Sequence, residues 1–577
     1  MSLLRLETSL EPFSRPAAAR VHPATRLVGR LAPWQIVTVF ALLLYVPWLG
    51  ERSLWYPDEP DVAEPAITML QTGDWVVPRH NDEPWLDYPP LTYWLGAASS
   101  RLAGDWSPFA LRLPVALLAI FLVGFTAWTV HRLAGGRAGL WAGLCLATAP
   151  HFAYQAVHYH PDMAFAVLIS VGIVAYAWGA MRSDSSWSLP ARLAGFACFG
   201  GAVLAKGPLG LLLPGLILVL WHGSARQWRA LLSLAPLSLA ALAVAMPWYV
   251  QLVRSLGWEE VWGELYLQNF ARFGAANRGH EQPWWYYLVL LWFDWAPWSL
   301  VLPVSVVDAL RNRRREPAVR LVLIWLFAGL VFFSAAATKR EVYLLPLFPA
   351  IAFLLGRYLS VAVGMGTGLR LRWFLRGVGG VCVASTAAVV SLAMSYVLFG
   401  TRPLRPPLDL LGELAVPLGV LCAVLSAGGV ALLLLARKGV STLSLAGITL
   451  GLGLVYAVVL GAILPSVDGK KSYGAVAESL RAAAGEEPLG FYPHGIETKR
   501  AGFRVEDPAY LPLRLLHTPG DVATHLSRRS GVVILHPERA LEISGAVPDW
   551  EQWPRREVSL GSRRFLVLGP AAEGQER

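Results

Sequence analysis

The chain has 577 residues, of which 55% are hydrophobic and 15% charged, with a mean hydropathy of +0.47. A soluble protein of this size carries about 25% charge, so the composition argues against soluble enzymes, disordered chains and fibrous proteins. The net charge of +10 is not a nucleic-acid signal, because residues 466–577 hold 15 basic and 15 acidic side chains and the excess lies among the apolar runs.

Those runs are about 20 residues long, enough to cross a bilayer as helices. Residues 1–32, with Arg5, Arg15, Arg20, Arg26 and Arg30, read as a cytoplasmic N-terminal segment. No small-residue cleavage site follows the first run, which predicts an uncleaved anchor. Thirteen spans are predicted, at 33–50, 109–131, 136–152, 162–181, 191–205, 208–222, 231–253, 286–308, 319–337, 342–361, 375–399, 412–437 and 442–464. With the N-terminus inside, the inner segments hold 22 basic and 5 acidic residues, and the outer segments before the tail hold 12 basic and 19 acidic. The bias satisfies the positive-inside rule. An odd number of spans then puts the tail outside the cytoplasm. Cys145, Cys198, Cys382 and Cys422 all lie in apolar runs and fit neither a disulfide framework nor a zinc site.

The expected architecture is a polytopic α-helical membrane domain, 33–465, followed by a small extracytoplasmic α/β domain, 466–577. The first outer loop, 51–108, is long, acidic and aromatic. The second, 254–285, contains an amphipathic stretch from Trp258 to Phe273 that suits a helix lying at the membrane interface. In the tail, Ser472–Ala484 and Asp521–Arg528 read as helices, and Leu489–Tyr492, Val532–Leu535 and Phe565–Leu568 as strands.

Ionisable residues at membrane depth are costly and usually functional. Asp58 and Glu59 follow the first span, and Asp162 opens the fourth, after His158, Tyr159, His160 and Pro161. Carboxylates here can act as bases, metal ligands or acceptors; they can equally cap helices. His158 and His160 with Asp162 offer donors to a divalent metal, although a tetrahedral site needs a further ligand. Lys206, Arg272, Lys339 and Arg340 are outer cations that call for anionic partners, either carboxylates or a lipid phosphate; snorkelling at the interface is the ordinary alternative. No P-loop or Gly-rich dinucleotide motif is present. Cations suit phosphate, and the aromatic walls suit sugars or a lipid chain.

Several ordered motifs carry a family resemblance. Trp55-Tyr56-Pro57-Asp58-Glu59, Asp74-Trp75-Val76-Val77-Pro78-Arg79 and Asp87-Tyr88-Pro89-Pro90-Leu91-Thr92-Tyr93-Trp94 resemble the first periplasmic loop of bacterial GT-C type membrane glycosyltransferases. These are the lipid A aminoarabinose transferases and their protein mannosyltransferase-like kin. The resemblance continues through His160-Pro161-Asp162, Leu204-Ala205-Lys206-Gly207-Pro208 and Thr338-Lys339-Arg340-Glu341-Val342-Tyr343. It covers the first 360 residues well and the rest only in layout. It implies a GT-C fold and a polyprenyl-phosphate sugar donor used on the periplasmic face of the inner membrane. The acceptor would be lipid A, another glycolipid, a polysaccharide or a protein. Asp58 would match the principal catalytic acid and Asp162 the second, with Arg272 and Tyr343 near the donor phosphate. Tyr88 departs from the family, which often has a phosphate-contacting lysine there.

The expected chemistry follows from these residues. A polyprenyl phosphate leaves readily when preorganised cations stabilise its charge, the role expected of Arg272, Lys206 and Lys339 or Arg340. Asp58 would take the proton of a hydroxyl acceptor, or orient an acceptor that is already a phosphate. A transporter or flippase of lipid-linked sugars and a non-catalytic assembly factor are the competing functions. The absence of paired inverted halves counts against the transporter.

Overall fold

The computed structural model describes residues 31–55, 58–80, 83–182, 185–266, 282–364, 372–399, 408–438, 441–468, 489–492, 513–527, 531–548, 550, 553–560 and 563–569. Among them, nine helices are long and apolar enough to cross a membrane: Pro108–Ala134, Asp162–Met181, Ser188–Lys206, Trp228–Leu256, Pro317–Ala335, Glu341–Val363, Arg372–Ser391, Leu414–Leu435 and Thr442–Asp468. Each overlaps a predicted span. The other four predicted spans are helical but shorter or interrupted. Pro33–Trp48 and Leu209–Ser224 are short apolar helices. Residues 136–152 divide into Gly136–Ala147 and Pro150–Ala156, and 286–308 into Tyr286–Asp294 and Leu302–Asp308 with a 3-10 turn at Trp298–Leu300 between them. Proline accounts for both breaks, since Pro150, Pro297 and Pro303 cannot donate a backbone hydrogen bond to the preceding turn.

Burial separates an inner set of helices from an outer one. In Glu341–Val363 and Asp162–Met181, 78% and 67% of the apolar window is covered by protein, against 11% in Leu414–Leu435 and 17% in Thr442–Asp468. The outer helices therefore present their apolar faces to lipid. Where inner helices cross, small residues permit close approach. Gly172 and Gly195 meet backbone to backbone, so a Cβ at either would lie 2.9 or 2.8 Å from the other's carbonyl oxygen. This contact pairs Asp162–Met181 with Ser188–Lys206 as an antiparallel hairpin and brings Asp162 and Lys206 to the same end.

The first outer loop is structured. Asp58–Thr72 is a helix that starts at Asp58 itself, with Asp58, Glu59 and Asp61 in its first turn. These acids complement the helix N-terminus. Pro60 is tolerated because first-turn amides have no intrahelical partner. Strands β1, Arg79–His80, and β2, Glu83–Pro84, form a small antiparallel pair, and Leu91–Ala103 is a further helix. In the second outer loop, Trp258–Leu265 is helical. Its Trp258 and Trp262 are exposed and stacked at 5.7 Å while Val261 is buried, a pattern that suits an interface.

In the tail, strands β3 (Leu489–Tyr492), β4 (Leu513–Leu515), β5 (Val533–Leu535), β6 (Arg555–Leu560) and β7 (Arg563–Leu568) form one sheet in the order β4-β3-β5-β7-β6. β3 runs parallel to β4 and β5, while β7 is antiparallel to β5 and β6. The Pro519–Leu526 helix packs Val522 and Leu526 into a core with Tyr492, Val533, Leu535 and Leu568. β4 and β6 were not anticipated; β4 is three residues long, and β6 carries Arg555, Arg556 and Glu557 in place of an apolar run. The predicted helix at 472–484 lies outside the described residues.

Candidate functional site

Asp58 and Glu59 are neighbours in sequence and separate in space, because successive helical residues point about 100° apart. Glu59 is fully buried in a cage of donors. Arg112 Nε stands 2.7 Å from Oε1 and Nη2 2.8 Å from Oε2, and Arg52 Nη1 donates to Oε2 at 2.5 Å. The backbone amides of Trp55 and Tyr159 donate to the same carboxylate, each at 3.0 Å. Burial pushes the Glu59 carboxyl up, but Arg112 and Arg52 outweigh it and hold the group well below the usual glutamate range. With both oxygens engaged and no exposed surface, Glu59 is a structural anchor. This corrects its grouping with Asp58 as a catalytic acid.

Asp58 faces the other way and is about a third exposed. Its Oδ1 accepts a hydrogen bond from Arg340 Nη2 at 2.8 Å. Burial pushes this carboxyl up, but the charges of His160 and Arg340 prevail and leave it below its ordinary value. Arg340 arrives on an extended backbone, φ −123° and ψ 148°, just before the 3-10 turn Glu341–Leu347. Tyr287 Oη fixes that segment by donating to the Arg340 carbonyl at 3.1 Å.

Neighbours on extended backbone point to opposite sides, so Lys339 turns away from Arg340. It is buried, and its Nζ donates to the carbonyls of Ala336 at 2.6 Å and Gln282 at 2.8 Å. It thus caps the C-terminus of the Pro317–Ala335 helix, where a cation is favourable. Lys339 was expected at the donor phosphate; the structure makes it a helix cap instead.

The second acid, Asp162, is the first residue of its helix, after the N-cap Pro161. Both of its oxygens are engaged: Oδ1 accepts from Lys206 Nζ, and Oδ2 lies 2.5 Å from His160 Nδ1. The Lys206 ammonium also rests 4.7 Å from the centre of the Tyr343 ring, a cation–π contact. On the far side of His160, Nε2 stands 3.5 Å from Tyr88 Oη, with the two rings edge to face at 5.5 Å. Burial, then the Asp87 charge, pushes the Tyr88 phenol well above its ordinary value.

Asp58, Arg340, Tyr88, His160, Asp162, Lys206 and Tyr343 therefore form one connected cluster at one end of the bundle. Its members come from five separate stretches of chain. Arg272 lies outside the described residues. His158 is not a partner of Asp162; it stacks over His160 at 6.2 Å and sits 3.6 Å from Glu59. Burial first, against the opposing Glu59 charge, pulls its imidazole down to about 4. His158, His160 and Asp162, which the sequence offered as possible metal donors, do not come together as a ligand set, and no group of three His, Cys, Asp or Glu among the described residues is placed to hold a metal ion. The sequence reading missed Arg52 and Arg112. Arg112 carried a usable signal, as a cation near the start of an apolar run that has no acidic neighbour.

Residues 87–250 match the family described as dolichyl-phosphate-mannose-protein mannosyltransferase. Undecaprenyl phosphate-alpha-4-amino-4-deoxy-L-arabinose arabinosyl transferase of Aeromonas salmonicida is 30% identical over 385 residues, which is 64% of this chain and 68% of that protein. The chain belongs to that transferase family. The Pseudomonas aeruginosa (strain LESB58) transferase of the same description is 31% identical over 347 residues, 58% of this chain and 61% of its own length. The Edwardsiella ictaluri transferase is 26% identical over 381 residues, 65% and 68% of the two chains. The aligned part thus spans 61% to 68% of these relatives. ArnT from Cupriavidus metallidurans in the apo state has the same fold, with a TM-score of 0.77, 24% identity, and coverage of 96% of this chain and all of that one. The same protein bound to undecaprenyl phosphate gives a TM-score of 0.76. The chain is accordingly a multi-pass membrane glycosyltransferase of the inner membrane. Family membership places its chemistry with sugar transfer and away from a flippase or an assembly factor.

Proposed function

We propose that the chain transfers a sugar from undecaprenyl phosphate to an envelope acceptor on the extracytoplasmic face, and that the Asp58–Arg340 and Asp162–Lys206 pairs form its reaction centre. The observation that carries this reading is the convergence of those pairs. Each cation is held beside a carboxylate, so it is already in place when a lipid phosphate arrives. Arg340 can grip two phosphate oxygens; Lys206 supplies a point charge against the Tyr343 ring. Arg272, on the interfacial loop, is assigned to the same phosphate. Together these cations stabilise the charge that develops on the leaving phosphate.

Glycosyl transfer passes through an oxocarbenium-like state. Asp58, ionised and partly exposed, supplies the opposing negative charge. Its tie to Arg340 makes it a weaker base than a free aspartate, so its role shifts from proton acceptor to electrostatic partner. A divalent ion would compete with Arg340 and Lys206 for the same carboxylates. The reading therefore needs no metal, and treatment with EDTA should leave turnover unchanged. The N-terminus lies in the cytoplasm, thirteen spans follow, and residues 466–577 form an α/β domain outside.

The test uses membranes from a strain lacking the chain, which hold the native donor and acceptor. Purified protein is added and new glycolipids are followed by mass spectrometry. Asp58→Asn should lower turnover about 10²–10³-fold while undecaprenyl phosphate binding is kept. Near-normal turnover would remove Asp58 from the mechanism.

A further inference from the structure

The turn before Asp58 is held by a residue from the far end of the membrane domain. Ser53 N and Ser53 Oγ donate to the Asp468 carboxylate at 2.9 and 2.7 Å, and Trp55 Nε1 donates to it at 2.5 Å. Ser53 and Asp468 are 415 residues apart in the chain. Ser53 is fixed from its other side as well, because its carbonyl accepts from Arg112 Nη2 at 2.6 Å and from Arg52 Nη1 at 3.1 Å. Trp55 is buried and held at three further points. Its amide donates to the Glu59 carboxylate, its carbonyl accepts from the Glu59 amide at 3.2 Å, and the Arg52 guanidinium lies 4.6 Å from the centre of its ring. The chain therefore enters the Asp58–Thr72 helix from a clamped turn.

The last apolar helix is shaped to deliver this carboxylate. Its regular turns widen into a π-helical stretch at Val459–Ile463, followed by Leu464–Asp468. Widened turns of this kind are frequent at functional sites. Gly461, inside the stretch, lies against the ring of Trp48, where a Cβ would come within 2.3 Å. Just before it, Tyr456 Oη donates to the Thr148 carbonyl at 2.8 Å. The helix end thus closes on the end of the first apolar helix and brings Asp468 to Ser53. The charges balance as well. Arg52 and Arg112 bring two positive charges to Glu59, and Asp468, close enough to act on Arg112, supplies the second negative one. A buried charge without its counterpart is costly.

We propose that Asp468 is a positioning residue for Asp58: by holding Ser53 and Trp55 it sets the turn that aims the Asp58 carboxylate at Arg340, so that the end of the last apolar helix supports the reaction centre. This rests on the role given to Asp58 above. A reacting group works when it is held within about 0.5 Å of its productive place by locked neighbours. Arg340, 2.8 Å from Asp58, is fixed through Tyr287 on its own side. Asp58 needs a fixed point on the opposite side, and the turn clamped by Asp468 supplies it. Asp468 acts through that turn and takes no part in the bond changes of transfer.

The experiment uses full-length protein with the deletion-strain membranes. Asp468→Ala should lower kcat at least about tenfold, toward the 10² that a misplacement of about 1 Å costs. Undecaprenyl phosphate binding, measured by titration, should stay within about twofold of wild type. Asp468→Asn keeps an acceptor oxygen and should recover part of the loss. Trp55→Phe removes the indole N–H, keeps a ring, and should shift kcat in the same direction. Ser466→Ala, whose hydroxyl donates to Ala462 within its own helix, should match wild type. In an Asp58→Asn background, Asp468→Ala should cost no more than about twofold further, since changes that act through one group do not add. A merely structural role would lower turnover by the same factor in both backgrounds. Should Asp468→Ala fail to fold, Trp55→Phe carries the same double-variant test. Equal factors in the two backgrounds, wild-type kcat in both Asp468→Ala and Trp55→Phe, or loss of donor binding in step with turnover would each overturn the positioning role. Near-normal turnover of Asp58→Asn alone would instead sink the reading of Asp58 on which it rests.

Discussion

Arg112 and Glu59 meet prong to prong inside one end of the bundle, Nε to Oε1 at 2.7 Å and Nη2 to Oε2 at 2.8 Å. The same guanidinium donates to the carbonyls of Leu49, Arg52 and Ser53. One buried ion pair thus ties the Pro108–Ala134 helix to the end of the first apolar helix and to the turn that presents Asp58. Removing one partner of a buried pair typically costs about 3–5 kcal/mol. Glu59→Gln and Arg112→Met should therefore lower the melting temperature in detergent sharply. Arg112→Lys should recover only part, because lysine lacks the fork. Asp58→Asn should behave in the opposite way, losing turnover and keeping stability. A Glu59→Gln protein that melts like wild type would refute the anchor.

His158 makes stability depend on pH. Its ordinary value is 6.5 and burial lowers it to about 4 in the folded protein. Between those values the unfolded chain binds a proton that the folded chain refuses, so stability is full above pH 6.5 and declines as pH falls toward 4. The loss approaches about 3 kcal/mol. Glu59 adds to the loss only at lower pH, as its own depressed carboxyl becomes protonated. Melting curves of His158→Gln should be flatter than wild type across that window. An unchanged slope would rule His158 out as the cause.

The outer cations should divide into two groups. Lys339→Met should reduce thermal stability, since the carbonyls of Ala336 and Gln282 lose their donor, and should leave undecaprenyl phosphate affinity alone. Arg272→Ala and Arg340→Ala should weaken that affinity. Arg254→Ala, on the Leu234–Leu256 helix, should do neither. Titration of undecaprenyl phosphate into the four purified variants checks this. Equal behaviour of Arg272→Ala and Arg254→Ala would reduce Arg272 to a snorkelling residue.

Asp468 closes the last apolar helix onto the first outer turn. It accepts from Ser53 N at 2.9 Å, Ser53 Oγ at 2.7 Å and Trp55 Nε1 at 2.5 Å. Hydrogen bonds to a charged group are worth roughly 1.5–3 kcal/mol. Asp468→Ala should raise hydrogen exchange at the Ser53 amide and the Trp55 indole N–H and leave the bundle core protected. Protection equal to wild type at both N–H groups would show that the contact holds nothing in place.

Alkaline phosphatase fused after Gly569 should be active if, as proposed, thirteen spans follow a cytoplasmic N-terminus and leave the tail outside. An inactive but stably expressed fusion would reveal a miscounted crossing. The interrupted segments at 136–156 and 286–308 are the first places to look.

Much of the fold was legible because the membrane enforces a simple rule. A bilayer has no water to satisfy backbone groups, so every crossing must be a helix with an apolar surface. The runs at 162–181 and 319–337 needed nothing else to be located. The tail was harder. Its strands are three to six residues long, and β6 is charged, so its apolar partner β7 decides its state.

What the sequence determined by itself was the long apolar helices, the uneven charge of alternate connections, and the short motifs that carry Asp58, His160, Asp162, Lys206 and Arg340. Those depend on residue type and near neighbours. What only the tertiary structure decided was which charge meets which. Asp58-Glu59 and Lys339-Arg340 each read as two equivalent ions. The helix turns Glu59 onto Arg112 and leaves Asp58 for Arg340, while the extended backbone sends Lys339 to carbonyl oxygens on the other side. Electrostatic partners are chosen by distances of a few ångströms between segments far apart in the chain, 282 residues for Asp58 and Arg340, and local sequence carries no record of such distances.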